Sequence, residues 1–461
     1  VKDDSGNWKQ SSNSPTGKTA SFKFLMPGKY TAKSSYEVYY PGKNGNQDQV
    51  TISANQTQTE PNTTAHFGTS GDCGIAKATR NATSHEFEFA LDHKAAYLVF
   101  KPYTNNDILK HCYLTKIEVT SDNDIASTST YTLDPTADTG AGALTGTGNG
   151  KQIVLETKGS GAYANGFPLT NTSASLTTNG AYMIIKPGTH TLRIRYWVRD
   201  KDTGIEGTIT KLIPSHTFAK NEYVNMEADL QIKNYDGDHY YMWDAQQQYW
   251  YGYEWTKHLS GNTGQPTLNG KSSSNYAQSS SDPNNRWYNT SYPGWGISNL
   301  ATHTSCKNLP NANEMSWYCM YGDPRWDEDE LWTTMGHLYK GGMWFKKKSV
   351  LQAEGHYNTE KSADGSTDLR TAYNVYTNSN SSINNSGLPS AADAGNYFYL
   401  PALGYYESGF QWGVGISSYY WSSSAIAWDR NMAWALNFTR SSVFTSVTNR
   451  TVGGSVEPTF E

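Results

Sequence analysis

Apolar and polar residues alternate along the first half of the chain. Tyr36, Val38 and Tyr40 fall on one face of a predicted strand. Similar runs lie at 86–91, 95–100, 115–119, 152–155, 181–185 and 191–198. Turn residues separate these runs, and Pro187-Gly188 is predicted to form a hairpin between the last two. Short strands at regular spacing predict β-sandwiches up to about residue 235.

The pattern changes beyond residue 236, where most of the tryptophans lie. Asn311 with Glu314 three residues later is typical of a capping box and predicts a helix. Asp327 and Glu330 repeat this spacing and predict a second helix, which Gly341-Gly342 would end. Its buried face would contain Leu331, Met335 and Leu338. Short aromatic strands are predicted at 397–400, 419–421 and 434–438. Helices followed by strands predict an α+β domain.

Composition favours an exported β-rich protein and excludes a nucleic-acid partner. Charged residues make up 17% of the chain, the net charge is −5, and no basic run exceeds residues 346–348. No apolar stretch reaches the length of about 18 residues that a membrane helix needs. The chain opens on polar residues 1–5, so we expect that a secretory signal has been removed.

Four cysteines, Cys73, Cys112, Cys306 and Cys319, fall as one pair in each half of the chain. None belongs to a C-x-x-C motif, which argues against a zinc or thioredoxin-like site. In an oxidising compartment, Cys73–Cys112 and Cys306–Cys319 can form local disulfides. The alternative is that all four are small buried thiols. The sequence leaves both readings open.

Short segments of the first half occur in a characteristic order. Tyr39-Tyr40-Pro41 follows an aromatic strand, with Gln56 and Gln58 behind it. Residues 89–98 read F-A-L-D-H-K-A-A-Y-L, and residues 184–188 read I-I-K-P-G. In this order the segments resemble the fimbrillin family of Bacteroidetes pilus subunits. The resemblance implies an all-β half with two transthyretin-like β-sandwich domains, at 1–125 and 126–235.

A second series of segments lies in the other half. Leu309-Pro310 precedes the Asn311 helix, residues 420–424 read Y-W-S-S-S, and residues 435–438 read A-L-N-F. Arg450 and the G-G-S-V of residues 453–456 follow. The series resembles the Fibrobacter-succinogenes-type major paralogous domain. That resemblance implies an α+β, C-type-lectin-like domain at 236–461, without the calcium site of true C-type lectins because their E-P-N, Q-P-D and W-N-D motifs are missing.

The two resemblances together imply an extracellular fimbrial subunit at the outer-membrane surface. Its partners would be other fimbrial subunits. In this family, one subunit adds an extended strand to a groove of another subunit. The groove is exposed when a protease cleaves the chain after a basic residue in an N-terminal loop. Lys33 and Arg80 are the candidate cleavage positions in this chain. The chain's last residues complete the second domain, so we expect no donor strand and a position at the pilus tip. A stalk or anchor subunit without a ligand is the alternative.

No catalytic motif stands in a suitable context, so we expect no enzyme, no metal and no cofactor. The distant alternative is a formylglycine-generating-type oxidase that uses Cys306 and Cys319. Aromatic side chains are dense beyond residue 240, and most should pack the core. Some can bind a host, microbial or matrix ligand, such as a glycan. Tyr406, Glu407 and Trp412, in a glycine-rich loop, are the candidates.

Overall fold

The computed structural model describes residues 1–17, 19, 21–235, 237–253, 273–334, 336–379, 383 and 387–456. Its contacts divide the chain into two compact units. Unit one comprises Val1–Lys201 and Thr210–Leu230, and unit two comprises Asp202–Ile209 and Gln231–Glu461. The end of unit one therefore lies five residues before the domain limit predicted at 235.

Within the described residues, unit one is built from short and medium strands with two α-helices of one turn each. The strands are β1 (Ser35–Tyr40), β2 (Gln49–Val50), β3 (Asn55–Thr57), β4 (Gly74–Arg80), β5 (Phe87–Glu88), β6 (Asp92–His93), β7 (Ala96–Tyr103), β8 (Cys112–Ser121), β9 (Ala126–Ser127), β10 (Tyr131–Asp134), β11 (Ala143–Thr145), β12 (Asn149–Gly150), β13 (Gln152–Glu156), β14 (Phe167–Pro168), β15 (Ala181–Ile185), β16 (Gly188–Asp200), β17 (Glu206–Phe218, from Thr210 onward) and β18 (Tyr223–Asp229). The helices are α1 (Phe67–Ser70) and α2 (Leu176–Asn179).

Two sheets of unit one pack face to face. One contains β17, β16, β8, β13 and β3 in that order, with β14 also paired to β8, and the other contains β15, β7 and β18. The alternation predicted for 191–198 is confirmed, because Leu192, Ile194 and Val198 of β16 are buried. Between the sheets, the rings of Phe100 and Tyr196 meet edge to face with centroids 6.1 Å apart.

Two details of the predicted first half are wrong. Strands from both sides of residue 125 pair within the same sheets: β8 with β13 and β16, and β7 with β15 and β18. A domain limit at 125 would cut these ladders, so 1–125 and 126–235 share one core. Pro187-Gly188 joins β15 to β16, but these strands belong to different sheets. The turn is therefore a crossover rather than a hairpin.

Among its described residues, unit two combines strands with three short α-helices. The strands are β19 (Tyr240–Tyr241), β20 (Asn299–Leu300), β21 (Arg325–Thr334), β22 (His337–Lys346), β23 (Tyr376–Asn378), β24 (Tyr397–Pro401), β25 (Tyr405–Glu407), β26 (Phe410–Trp412), β27 (Ser417–Ala425), β28 (Met432–Thr439), β29 (Ser442–Asn449) and β30 (Gly454–Ser455). The helices are α3 (Thr304–Lys307), α4 (Ala312–Tyr321) and α5 (Lys348–Ala353).

The main sheet of unit two runs β19-β30-β27-β28-β29-β23, with β20 beside β27. Helix α4 begins at the predicted capping box: the Asn311 side chain accepts from the Glu314 N–H, and Glu314 accepts from the Asn311 N–H. The helix packs on β28 and β29 in the core that contains Trp434, Leu436 and Phe438. These three residues share a face, as the sequence predicts.

The second predicted helix is wrong, because β21 and β22 form an antiparallel hairpin there. Asp327 caps nothing; its carboxylate accepts from the Trp344 indole N–H at 3.1 Å. Gly342 does not end a helix either. It lies inside β22, where a Cβ would come within 2.4 Å of the Leu400 carbonyl oxygen. Close pairing with β24 therefore stabilises the extended conformation of this segment. Met335, which the predicted helix would have buried, lies outside the described residues.

Candidate ligand-binding site

The glycine-rich loop singled out by the sequence is a small β-hairpin. β25 and β26 pair antiparallel, with Tyr405 opposite Trp412 and Glu407 opposite Phe410. The two-residue turn, Ser408-Gly409, has positive φ at both positions, 50° and 76°. This is the backbone of a type I′ turn, whose twist suits a tight hairpin. Side chains therefore alternate between an inner and an outer face.

The inner face of the hairpin belongs to the core. Tyr406 is 0% exposed, and its ring packs against Tyr240, Tyr249 and Trp250 at centroid distances of 4.9, 5.1 and 5.4 Å. Gln411, its partner across the hairpin, is also buried. The prediction that Tyr406 contacts a ligand is therefore wrong. The alternative reading, that dense aromatic residues pack the core, holds at this position.

The outer face presents the other two candidates to solvent. Trp412 is 46% exposed, and its ring lies 4.6 Å from that of Phe410. Glu407 is exposed on the same face. Tyr405 joins them and meets Tyr419 of β27 at 4.4 Å. We call these five side chains the aromatic face.

Sequence reasoning missed Tyr405, Phe410 and Tyr419. The signal for the first two was available, because residues 405, 407, 410 and 412 alternate about a Ser-Gly turn. Tyr419 belongs to a distant strand, and its contact with Tyr405 arises only when β25 folds against β27.

The aromatic face holds one carboxylate beside neutral hydroxyl groups. Burial raises the pKa of Tyr405 and of Tyr419, and the negative charge of Glu407 adds to both shifts. Both phenols therefore stay protonated over the physiological range and can donate as well as accept hydrogen bonds. The surface offers flat apolar rings, hydroxyl groups and a carboxylate acceptor.

All four cysteines are free and buried, so of the two readings left open the structure shows the buried thiols and not the disulfides Cys73–Cys112 and Cys306–Cys319. Cys306 accepts a hydrogen bond from the Asp244 N–H at 3.2 Å, whereas Cys319 lies near the Val443 carbonyl oxygen at 3.4 Å. Burial raises the pKa of Cys306 and raises that of Cys319 to about 12. These two thiols also lie in different core clusters. They do not form the adjacent pair that the oxidase alternative requires.

Asp244 illustrates how polar clusters in unit two serve the fold. Its buried carboxylate accepts from the backbone N–H groups of Thr302 and His303, each at 2.8 Å, and from the Asn289 amide at 2.7 Å. Among the described residues, no group of three or more His, Cys, Asp or Glu side chains is arranged to hold a metal ion. In the same residues, no helix is long and apolar enough to cross a membrane.

In the sheet formed by β15, β7 and β18, the edge along β15 is closed by side chains. The Gln56 amide accepts from the Ile184 N–H at 2.9 Å and donates to the Ile184 carbonyl at 2.7 Å. The Gln58 amide accepts from the Tyr182 N–H and donates to the Gly180 carbonyl, at 2.8 and 2.9 Å. The two amides thus occupy the position of a further strand beside β15.

The opposite edge of this sheet is formed by β18, which pairs in parallel with β7. Glu222 accepts from the Tyr97 N–H, and the Leu230 N–H donates to Tyr103. Even-numbered residues of this segment therefore face β7, and the main-chain groups of Tyr223, Asn225 and Glu227 point to the edge. Within the described residues, β18 is the sheet's edge strand that lacks such a side-chain ladder.

No protein-family model matches the chain, and no curated protein sequence matches it significantly. Three crystal structures from Bacteroides species, each described as a "putative cell adhesion protein", resemble parts of it. The B. ovatus protein has 14% identity and a TM-score of 0.26, over 48% of this chain and 68% of its own. The B. fragilis protein has 12% identity and a TM-score of 0.28, over 50% of this chain and 77% of its own. The B. uniformis protein has 15% identity and a TM-score of 0.26, over 42% of this chain and 67% of its own.

Proposed function

We propose that this chain is a fimbrial adhesin, carried at the pilus tip, that binds a glycan through the aromatic face of unit two. The observation that supports this most directly is the exposure of Trp412, whose ring contacts that of Phe410 beside Glu407. Aromatic rings contact the apolar C–H faces of sugars, and a carboxylate accepts from sugar hydroxyls. The buried Tyr406 holds the hairpin rigid, so the binding surface is preorganised.

Replacing Trp412 with alanine tests the glycan site. Binding of the full chain to a glycan array should fall at least tenfold, because stacking on an exposed ring supplies much of the energy in such sites. Trp295 is the matched control, since it is 78% exposed in the same unit but lies in another loop. W295A should bind as the wild type does. If W295A loses binding while W412A keeps it, the site has been misplaced. If the wild type binds neither glycans nor proteins, the result favours a stalk or anchor subunit without a ligand.

The open edge of β18 supports the proposed joining by strand addition. An extended segment of another fimbrial subunit would pair with the outward main-chain groups of β18. Asn225→Pro removes one outward N–H without removing a β7 hydrogen bond, and N225A is the control. N225P should reduce incorporation of the chain into isolated fimbriae, and N225A should not. Equal incorporation of both variants would contradict pairing at this edge.

Of the two candidate cleavage positions, the surroundings favour Lys33. It is exposed in a segment outside the strands, just before β1. Arg80 ends β4, and its N–H donates to the Ser34 carbonyl. A protease needs an extended, accessible substrate, so it should cut after Lys33 first. Limited digestion with trypsin should lose this cut in K33A and keep it in R80A; the reverse would rule out our assignment.

The proposed position at the pilus tip depends on whether the chain has a strand to donate. β29 and β30 are paired within the main sheet of unit two, so neither is available as a donor strand. We propose that this chain accepts a strand and lends none, which would place it at the end of a fibre. Mixing the Lys33-cleaved protein with itself should therefore give no fibres, as judged by electron microscopy. Fibre growth would exclude the tip position.

A further inference from the structure

A polar side chain lies next to the aromatic face at one level of the main sheet. Tyr419, Asn437 and Phe444 stand directly opposite one another on β27, β28 and β29. Residues opposite each other in antiparallel strands project to the same face, with Cβ atoms about 4.5–5.5 Å apart. The Asn437 amide is therefore flanked by two aromatic side chains. We call this place the Asn437 niche.

Asn437 is only 9% exposed, yet one atom of its amide has no partner. Its Nδ2 donates to the Ser446 hydroxyl at 2.9 Å, while Oδ1 is buried without a hydrogen bond. Exchanging the two amide atoms would still leave one of them unpaired. A buried polar atom without a partner costs about 1–3 kcal/mol, and a ligand that reaches the atom can supply the missing hydrogen bond.

The niche lies where the buried and open parts of the sheet meet. On one side of it, Trp421 and Ala435 are fully buried in the core. On the other side, Ser417, Thr439 and Ser442 are opposed across the strands and partly exposed. The neighbouring ring of Tyr419 is also partly exposed and contacts Tyr405 of the aromatic face. A ligand on the aromatic face can therefore extend over Asn437 toward a rim of hydroxyl groups.

The charges near the niche favour an uncharged ligand. Glu407 is the charged group whose field reaches Tyr405 and Tyr419. Arg440, at the turn after Thr439, is directed elsewhere, with its guanidinium 5.9 Å from the Trp326 ring. Among the residues that the structure describes, no cation lies beside Glu407 to compensate the charge of an acidic sugar, which would meet a like charge there. A neutral sugar hydroxyl can donate to the Asn437 oxygen and leave its ring carbons against the aromatic side chains.

We propose that Asn437 is a ligand-anchoring residue and that the combined site takes a neutral pyranose sugar rather than a sialylated one. This inference rests on the proposed glycan binding and narrows it. A purely structural asparagine would stabilise the sheet. An asparagine kept for a ligand would instead be dispensable for folding, because its buried oxygen receives no hydrogen bond in the free protein.

The test uses the full chain, an array of neutral and sialylated glycans, and titration with the best neutral glycan. Asn437→Leu should weaken that binding about three- to tenfold, the effect of one lost neutral hydrogen bond. It should leave the thermal unfolding midpoint of unit two unchanged or raised. The matched control is N105L, an exposed asparagine of unit one, which should change neither quantity.

Each result decides between the proposals. If the neutral glycan binds and W412A loses it while N437L binds normally, the role of Asn437 is refuted and glycan adhesion stands. A marked fall in the melting point of N437L would show that Asn437 is structural. Preference for sialylated glycans would overturn the ligand class. If the wild type binds no glycan, the proposed glycan adhesion and this inference both fail.

Discussion

Replacing Gln56 and Gln58 with alanine should open the closed edge of β15 and destabilise unit one. Both glutamine side chains are at most 2% exposed, and their amides pair with the main chain of β15. In Q56A, the N–H and the carbonyl of Ile184 both lose their partner. In Q58A, the Tyr182 N–H loses its partner, but the Gly180 carbonyl still accepts from the Asn62 N–H at 2.8 Å.

The two substitutions should therefore differ in size. An unsatisfied buried main-chain group costs about 1–3 kcal/mol. We expect Q56A, which leaves two such groups, to lower the free energy of unfolding by about 2–6 kcal/mol. Q58A leaves one and should cost about 1–3 kcal/mol. Because the two glutamines serve adjacent parts of one edge, the double variant should not be strictly additive.

Urea denaturation of the full chain, followed through the transition of unit one, measures these changes. Hydrogen exchange over residues 180–186 reports the edge directly, and the amides of Tyr182 and Ile184 should lose protection. Gln152, exposed on β13, provides the matched control, and Q152A should stay within about 0.5 kcal/mol of the wild type. A double variant that loses less than about 1 kcal/mol, with β15 protection unchanged, would refute the edge-sealing role.

Three further predictions follow from buried groups. Tyr406→Ala should destabilise unit two by about 3–5 kcal/mol in thermal or urea unfolding, whereas W412A should leave stability unchanged; equal stability of both would contradict the burial of Tyr406. Arg450→Met should cost about 2–4 kcal/mol, because its guanidinium donates to backbone carbonyls and its pKa is lowered to about 10 by burial; a more stable variant would refute this. The hydrogen bond to Asp72 raises the pKa of His93, so this contact stabilises unit one below about pH 6.5 and the gain is lost as pH rises through the higher value. His93→Asn should flatten that dependence by less than about 1 kcal/mol, since the ring is 39% exposed, and an identical pH profile would exclude it.

Local sequence patterns predicted the secondary structure correctly where an element buries one face and leaves the other face more exposed. β16 shows its alternation in the sequence because Leu192, Ile194 and Val198 face one core, whereas Arg193 and Trp197 on the other face are only partly buried. The capping box of α4 is likewise local, since Asn311 and Glu314 satisfy each other's backbone groups within four residues. In both cases the information lies in neighbouring positions of the chain.

The candidate site was predicted only in part. Its location at 405–412 followed from composition, and two of its three named residues lie on the outer face. Tyr406 failed because composition carries no information about which side of a hairpin meets the core. The Asp327 segment failed for a related reason: an i, i+4 spacing of apolar residues fits a helix, but pairing with β22 and β24 stabilises the extended form.

The sequence by itself determined that the chain is rich in strands, changes character near residue 236 and carries one well-capped helix. These properties depend on side-chain period, turn residues and composition, which neighbours along the chain express. Only the tertiary structure decided that 1–125 and 126–235 share sheets, that glutamine amides close one edge, and that Tyr419 contacts the hairpin. Each of these depends on contacts between distant residues, and such contacts form only when whole sheets pack together.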